Sequence, residues 1–368
     1  MNVSFTQEHD ELRQTVRRFL EKESAEPIVR ALMETDRGYD ARTWKRMASE
    51  LSLPGLVVPE RYGGAGLGPV ELAIVLEEMG RVLFCGPYLS TAVLATAALL
   101  EAAEEAPREE LLREIASGEA IVTVALAEES EGAEAIRATR DGSAHRLEGV
   151  KEYVVDGQVA DVVLVAATTG QGLGLFRIDG SAPRLERKPL PPLDLTRKLA
   201  RLELSGTPAT KVSSTADVSG PLRYVLALAV TALAAEQVGG AQRCLDLAVE
   251  YAKTRLQFGR PIGSFQAIKH KCADLLVEVE FARSAAYHAA FSAAGREQEE
   301  LRTAAHVAKS YCSEAYFHAA AENIQIHGGM GFTWEHPAHL YFKRARASSV
   351  LFGDPFHHRQ KLAASLGL

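Results

Sequence analysis

The stretch that decides the fold runs from Tyr251 to Asp274 and reads YAKTRLQFGRPIGSFQAIKHKCAD. It begins as an apolar helix and breaks over residues 258–261, because proline lacks an amide donor and glycine permits positive φ. A second helix then starts and carries Gln266, so the pattern predicts two long helices joined at a sharp corner. The corner is either a capped helix–helix turn or a rigid support that presents Arg255, Phe258 and Gln266 to a ligand.

The composition of the 368-residue chain is that of a globular protein with more than one substructure: 47% of residues are hydrophobic and 24% charged. The formal net charge is −7, which argues against nucleic acid as the main partner because phosphate binding needs a basic surface. The cysteines have no CxxC or paired spacing, so we interpret them as buried free thiols, not as disulfides or metal ligands. They are Cys85, Cys244, Cys272 and Cys312.

Targeting signals are not visible in the sequence. Residues 1–20 alternate charges in an amphipathic pattern, which does not fit a signal peptide. The most apolar stretch, residues 222–235, is too short and too rich in alanine for a membrane span. We therefore expect a soluble, cytoplasmic protein that has no membrane partner.

The N-terminal part of the chain reads as a helical block that ends near residue 118. Its apolar periodicity predicts helices at 6–24, 41–51, 70–82, 89–102 and 108–117. Between the second and third of these lies LPGLVVPERYGGAGLG, residues 53–68. Its glycines suit either a phosphate cradle or a tight irregular connection between helices, and it contains neither GxGxxG nor GK[ST].

The middle and C-terminal parts of the chain differ in their predicted secondary structure. Six short β-prone runs separated by Gly-containing turns predict a small antiparallel barrel or sandwich. They are 121–126, 145–147, 153–155, 162–167, 174–178 and 200–204. A bundle of antiparallel helices follows, at 222–257, 264–294, 297–325, 340–349 and 357–366. The fold class is therefore α+β, with domains at 1–118 (all-α), 119–217 (β) and 218–368 (helical bundle).

This α, β, α order, together with four motifs, resembles the acyl-CoA dehydrogenase family of flavoproteins. The motifs are LPGLVVPERYGGAGLG (53–68), KEYVVDGQVADVVLVAA (151–167), RLQFGRPIGSFQAIKHKCAD (255–274) and QIHGGMGFT (325–333). The resemblance covers nearly the whole chain. It implies an N-terminal helical domain, a middle β domain and a C-terminal four-helix domain, assembled as a dimer of dimers around FAD.

The activity implied by the resemblance is α,β-dehydrogenation of an acyl-CoA thioester to the trans-2-enoyl-CoA. A carboxylate removes the α-proton while the β-hydrogen leaves as hydride to the flavin. Because the α-proton is weakly acidic, such a site needs a desolvated base and donors for the enolate-like oxygen. The flavin accepts the hydride, and an electron-transfer flavoprotein is the expected electron acceptor.

The residues that the resemblance assigns to FAD come from three segments. Arg255 and Phe258 would reach the FAD of a neighbouring subunit, with Gln266 nearby, since a guanidinium forms bidentate bonds with a diphosphate. Glycines at the adenosine end would allow close approach of the backbone, although the same residues also suit a glycine-capped helix end. In the segment 325–333 these residues are Gln325, Gly328 and Gly329. In the segment 151–167 the residue is Tyr153, which would stack on the flavin.

The other half of the family pattern is incomplete. Residues 125–132, ALAEESEG, stand where the family has a TEPxxGSD-like loop, and Val155 replaces a hydroxyl that bonds near flavin N5. The arginine expected near the CoA portion aligns with Val230. The usual base position falls on Gly353 and the alternative one on Ala229.

Asp354 is the carboxylate next to the expected base position, one residue out of register. Either Asp354 acts as the base after a small loop shift, or it caps the helix that starts at Pro355, since Asp followed by Pro is a good N-cap and N1 pair. A separate hypothesis is that the chain is one half of a heteromer, because it keeps the groups that act on a neighbour's FAD and lacks those that act on its own flavin and substrate. This would resemble actinobacterial sterol-catabolic relatives in which one kind of subunit carries the base. The rival functions are a catalytically silent subunit and a flavin oxidase or monooxygenase.

The histidines in and beside these motifs are interpreted structurally. His270 and His327 are expected to be hydrogen-bonded structural groups, not bases. The run 357–359, His-His-Arg, fits a solvated helix start better than a basic patch for a CoA phosphate.

Overall fold

The structure is a computed structural model that describes residues 5–126, 135–142 and 144–368. Along the chain, helices are followed by strands and then by helices again, as the sequence predicts. By its internal contacts the chain divides into two compact units. One unit comprises Met1–Ala31, Pro69–Phe84 and Val230–Leu368, and the other comprises Leu32–Gly68 and Cys85–Ala229. The three-domain division at residues 118 and 217 stays a prediction.

The N-terminal helices lie within a few residues of their predicted bounds, with one addition. They are α1 (Gln7–Glu23), α2 (Glu26–Met33), α3 (Ala41–Leu51), α4 (Pro69–Arg81), α5 (Thr96–Ala102) and α6 (Glu105–Ala116). The sequence analysis missed α2. The predicted helix 89–102 is divided, because Leu89–Ala95 winds as a buried π-helix, a form that often marks functional sites.

The glycine-rich loop 53–68 is a tight connection, and its amides are used internally. The amides of Ala65 and Gly66 donate to the carbonyls of Gly55 and Val58, at 3.0 and 2.9 Å. A Cβ on Gly64 would lie 2.1 Å from the carbonyl oxygen of Val58, so only glycine fits there. These amides are therefore not available to cradle a phosphate, and the connection is the correct interpretation.

Seven strands in the middle of the chain form one sheet, which is consistent with the predicted barrel. They are β1 (Val122–Ala125), β2 (Arg137–Asp141), β3 (Ala144–Val155), β4 (Val162–Thr169), β5 (Gly172–Asp179), β6 (Leu185–Pro189) and β7 (Leu199–Lys211). Strands β4, β2, β3, β7 and β5 close on themselves because β5 pairs with both β7 and β4. Most ladders are antiparallel as predicted, but β1 and β2 run parallel to β4.

Apart from the short helix α10, which was not predicted, the C-terminal helices agree with their predicted positions. They are α7 (Ser219–Thr254), α8 (Gln266–Gly295), α9 (Gln298–His327), α10 (Gly329–Phe332), α11 (Ala338–Val350) and α12 (Pro355–Ser365). Helix α7 is long and apolar enough to cross a membrane, but 89% of its most apolar 18-residue window is buried, as in the core helix of a bundle. Helices α4 and α7 touch along their backbones: a Cβ on Gly239 would lie 1.8 Å from the Glu77 carbonyl oxygen.

A buried charge cluster ties α1, α4 and α8 together. Glu77 and Glu78 are 2% and 1% exposed. Arg13 donates to both carboxylates, at 2.7 and 3.1 Å, and Arg17 forms two bonds with Glu78. Arg283 of α8 also donates to Glu77. Because an unpaired buried carboxylate is costly, these arginines stabilise the packing of α4.

Candidate functional site

The corner predicted between α7 and α8 is present, but it is a small β-hairpin and not a simple break. Strands β8 (Leu256–Gln257) and β9 (Arg260–Pro261) pair across two residues, Phe258 and Gly259, whose φ angles are 54° and 75°. Positive φ at both central residues defines a type I′ turn. Phenylalanine is strained in this conformation, yet the Phe258 side chain is 91% exposed. The ring meets the Phe265 ring edge-on, with centroids 6.0 Å apart, but most of it faces solvent. A strained residue whose side chain is this exposed indicates a role outside the chain.

The polar side chains of the hairpin face solvent. Arg255 is exposed, and its guanidinium has no hydrogen-bond or carboxylate partner among the residues that the structure describes. Gln266 is exposed at the first position of α8. By contrast, the Arg260 guanidinium lies 4.1 Å from the Phe265 ring centroid and helps to hold the hairpin. Arg255 is therefore a free cation on a fixed backbone.

The second predicted cofactor segment lies at the end of α9. Helix α9 ends at His327, and Gly328 follows with φ 62°, so the glycine-capped helix end is present. A Cβ built on Gly328 or Gly329 would meet nothing within 4 Å in the described part of the chain. Gln325 is exposed as well. The cap itself explains Gly328 but not the open space at Gly329, which leaves room for a group from outside the chain.

Tyr153 belongs to the other compact unit, on a bulge of β3. The register of β3 against β7 shifts between Lys151 and Val154, and the short strands predicted at 145–147 and 153–155 are both parts of this one strand. Tyr153 has φ 55° and is 65% exposed. The bulge is held by buried Asp156, whose carboxylate accepts a hydrogen bond from Ser90 of the π-helix at 2.6 Å. Sequence reasoning missed the contact between Ser90 and Asp156.

Most of the counterpart of the TEPxxGSD-like loop, at residues 127–132, lies outside the described residues. Only its start, Ala125 and Leu126, is described, and Ala125 ends β1. Val155 and Val230 are buried. Ala229, at the alternative base position, is 0% exposed and carries no acid group.

The expected base position, Gly353, has no room for a side chain. Its φ is 100°, which L side chains rarely adopt, and a Cβ there would lie 2.7 Å from His357 Cδ2 and 3.1 Å from His358 Nε2. The preceding Phe352 is also left-handed, with φ 60°. The loop is therefore built for glycine and not for a carboxylate side chain.

Asp354 acts as the N-cap of α12. Its Oδ1 accepts a hydrogen bond from the His357 amide at 2.8 Å, and Pro355 occupies the first helical position. The residue is exposed. An exposed carboxylate that already accepts an amide bond lacks the desolvation that a base for a weakly acidic proton needs. Its assignment as catalytic base stays a hypothesis.

Two buried side chains that sequence reasoning missed or misread hold the end of α11 and the loop that follows it. Lys309 of α9 is 0% exposed and donates to Ser313 Oγ and to the carbonyls of Ser348 and Ser349, at 3.0–3.1 Å. Burial lowers the pKa of Lys309 from 10.5 to about 7. Its position in an alanine-rich buried stripe of α9 was the signal that could have found it.

His358 corrects the interpretation of residues 357–359 as a solvated helix start. It is 2% exposed, and burial lowers its pKa from 6.5 to about 3. Its Nε2 lies 3.0 Å from the Phe352 carbonyl and must donate, so its Nδ1 accepts from His306 Nδ1 at 2.9 Å. Arg359 is already paired with Glu314 at 2.6 Å. A phosphate patch is not supported here.

The residues present fit one end of a dinucleotide. A free guanidinium at Arg255, open backbone at Gly329 and an exposed ring at Phe258 suit a diphosphate and an aromatic base. Within residues 5–126, 135–142 and 144–368, no three histidine, cysteine or acidic side chains converge as a metal site.

Comparison with known proteins identifies the family. The model of the acyl-CoA dehydrogenase N-terminal domain matches residues 6–119, and that of the C-terminal domain matches residues 223–367. Acyl-CoA dehydrogenase IpdE2 of Mycobacterium tuberculosis is 41% identical over 350 residues, covering 95% of this chain and 94% of the relative. IpdE2 of Mycolicibacterium smegmatis is 36% identical over 361 residues, covering 98% and 99%.

Solved structures agree with these relatives. A variant of the Tcur3481-Tcur3483 steroid ACAD superposes with a TM-score of 0.89 at 32% identity, covering 98% of both chains. The ChsE4-ChsE5 complex from Mycobacterium tuberculosis gives a TM-score of 0.92 at 28% identity, covering 100% of this chain and 99% of that chain. From its two matching domains, its close relatives and its fold, the chain belongs to the acyl-CoA dehydrogenase family, whose cofactor is FAD.

Proposed function

We propose that this chain is one subunit of a heteromeric, FAD-dependent acyl-CoA dehydrogenase and that a second, non-identical chain carries the catalytic base. The reaction is α,β-dehydrogenation of an acyl-CoA thioester to the trans-2-enoyl-CoA. In this proposal the chain contributes half of a FAD site through residues 255–266 and 325–329, and it contributes no base of its own.

The observation that carries the proposal is the loop 351–354. Gly353 occupies the base position at φ 100° with His357 and His358 packed against it, so no side chain fits. Asp354 is exposed and caps α12. A dehydrogenase made only of this chain would have to remove an α-proton with a solvated helix cap, whereas a heteromer would use a carboxylate of the other subunit.

The side chains that would hold FAD have distinct roles. Arg255 would form charge-assisted bonds with the diphosphate, and Phe258 would cover the cofactor from the hairpin. Gln266 and Gln325 would donate or accept hydrogen bonds near the adenosine, beside the open backbone of Gly328 and Gly329. In this chain's other unit, Tyr153 would stack on a flavin. The chemistry supplied by bound FAD is acceptance of a hydride from the substrate β-carbon.

The names of similar structures support the finer parts of the proposal. ChsE4-ChsE5 and Tcur3481-Tcur3483 are named as pairs of chains, and the second is named a steroid ACAD. We therefore infer a ring-containing acyl-CoA as substrate and a tetramer of two chain types. An electron transferring flavoprotein among the similar structures keeps that class as the expected electron acceptor. A cytoplasmic location, expected from the sequence, belongs to the same proposal.

The test is to purify the chain alone and after co-expression with the product of an adjacent dehydrogenase-like gene. We expect the chain alone to be colourless, and the co-purified complex to be yellow and to bleach when an acyl-CoA is added. A yellow homomer that bleaches with acyl-CoA would overturn the heteromer and return Asp354 to the role of base. Rapid reoxidation by dioxygen with acyl-CoA bound would instead indicate an oxidase or monooxygenase.

A further inference from the structure

Three aromatic rings form a stack beneath the two cofactor-facing segments. Tyr251, in the last turn of α7, stacks on His327 with centroids 4.3 Å apart and planes at 28°. On the other side, His336 lies 4.2 Å from His327 at 39°. His327 is thus held between two rings at the end of α9. The sequence analysis assigned His327 a structural hydrogen bond only, and the proposed chemistry does not use it.

The hydrogen bonds of the stack define its protonation. His327 Nδ1 lies 2.8 Å from the Asn323 carbonyl, which can only accept, so Nδ1 carries the hydrogen. His336 Nδ1 accepts from the Ala338 amide at 3.2 Å, so its hydrogen is on Nε2. Burial lowers the pKa of both histidines, and each charge would also repel the other. The stack therefore consists of neutral rings at neutral pH.

The stack joins segments that are far apart in sequence. The Tyr251 carbonyl accepts a hydrogen bond from the Arg255 amide at 2.8 Å, so the Tyr251 ring is fixed to the base of the hairpin. His327 directly precedes Gly328, whose φ of 62° starts the glycine turn. Ring thickness sets the spacing of a stack more rigidly than aliphatic packing does, because flat rings have few rotamers.

We propose that His327 is a positioning residue: held between Tyr251 and His336, its ring sets the distance from the hairpin with Arg255 to the glycine turn 328–331. The inference rests on the proposed function, because these two segments are the ones that would hold the adenosine diphosphate half of FAD. In this proposal the stack would contact neither the reacting carbons nor the flavin. Its role is to hold the hairpin and the glycine turn at the correct distance from each other before FAD binds.

Hydrogen–deuterium exchange on the purified full chain tests the coupling without any cofactor. His327→Asn keeps the donor to Asn323 but removes the ring, whereas His327→Phe keeps the ring and removes the donor. An aromatic pair is worth about 1 kcal/mol, so we expect His327→Asn to raise amide exchange across residues 255–261 about fivefold. His327→Phe should leave that exchange near the wild-type rate.

The reciprocal variant and a control sharpen this test. Tyr251→Leu should raise exchange at the glycine turn 328–331 by a similar factor, although the substitution lies on α7. His318→Asn is the control, because His318 is an exposed residue of α9 paired with Glu278 at 2.8 Å. Faster exchange only within the substituted helix, or an equal effect of His318→Asn, would overturn the inference.

Cofactor titrations then separate this inference from the proposed function. In the co-purified complex, we expect His327→Asn to weaken the binding of FAD and of ADP about fivefold. The binding of FMN should not change, and His327→Phe should restore the affinity for FAD and ADP. Arg255→Gln reports on the FAD site itself. If Arg255→Gln leaves FAD affinity unchanged, the proposed cofactor site is wrong, while the exchange data still decide the coupling. If Arg255→Gln weakens FAD binding but His327→Asn does not, the positioning role is wrong.

Discussion

Two regions of the C-terminal helices differ in whether their polar groups and glycines have contacts within the chain. In the hairpin 255–261 and the turn at 328–329, Arg255 has no partner among the described residues and the Gly328 and Gly329 positions face open space. In the loop 351–354, Asp354 is a helix cap and Gly353 is packed against two imidazoles. The guanidinium and the glycine Cβ positions named in the first region have no contact partners among the described residues, whereas the groups named in the second have their contacts within the chain. We call the first region incomplete and the second complete.

The difference indicates which functions this chain retains. Groups that are strained or unpaired without an internal reason are kept for something outside the chain, as at Phe258. Groups whose bonding is satisfied internally stabilise the fold, as at Asp354. The family's cofactor contacts fall in the first class and its base position in the second. Each of the following experiments tests this contrast.

The largest effect on stability is expected when a carboxylate side chain is introduced into the loop 351–354. Gly353→Glu puts a side chain at φ 100° and against His357, so the free energy of unfolding should fall by about 2–4 kcal/mol. Urea denaturation measures it. Gly329→Glu is the matched control, because its Cβ has open space, and it should change stability by less than about 0.5 kcal/mol. A stable Gly353→Glu chain that gains turnover by itself would reverse the contrast.

In the incomplete region, a substitution should affect binding and not folding. Arg255→Gln removes a charge-assisted pair with the diphosphate that is worth about 1.5–3 kcal/mol, so FAD affinity should fall about 10–100-fold. The melting temperature of the FAD-free chain should not change. Flavin fluorescence titration of the complex measures the FAD affinity. Arg302→Gln, at an exposed arginine of α9 paired with Glu299, should leave the affinity as it is. A drop in melting temperature for Arg255→Gln would mean that Arg255 is not free.

The complete loop should also open in acid. His358 is neutral when folded, with a pKa near 3, but protonates at about 6.5 when unfolded. The unfolded chain therefore binds more protons below pH 6.5, and stability falls by up to about 1.4 kcal/mol per pH unit from there down to about pH 3. His358→Gln should lose this part of the slope between pH 6.5 and 5. Equal slopes in wild type and variant would contradict the buried, neutral assignment.

The smallest effect separates the cap from the base. Asp354→Ala should cost about 1 kcal/mol of stability, whereas Asp354→Asn, an equally good cap, should cost almost nothing. In the assembled dehydrogenase, Asp354→Asn should keep full turnover with acyl-CoA. A loss of several orders of magnitude in turnover by Asp354→Asn at unchanged stability would make Asp354 the base and remove the contrast between the two loops.

Elements with strong periodicity could be predicted from the sequence, and the reason is visible at α1. Val16 and Leu20 stand on one apolar face and are both fully buried. Strands β2 and β6 could not be predicted, because RATRD and LERKP are polar and owe their conformation to pairing with β3 and β7. Tertiary pairing, not local preference, makes them strands.

For the candidate site, motif spacing located the segments but not their geometry. The run 255–261 was predicted as a break between helices, and its type I′ hairpin was missed because phenylalanine is rarely left-handed. Lys309 and the burial of His358 were missed because charged residues are normally expected on the surface. Such groups become visible only when the carbonyls that they satisfy are in place.

The hairpin also has a consequence for anyone who engineers this chain. Asparagine or glycine is the favoured residue at the first position of a type I′ turn, and Phe258 costs about 1 kcal/mol by comparison. A selection for heat resistance alone would therefore replace Phe258 with Asn and discard the exposed ring. At this one residue, gains in thermal tolerance and retention of the aromatic surface oppose each other.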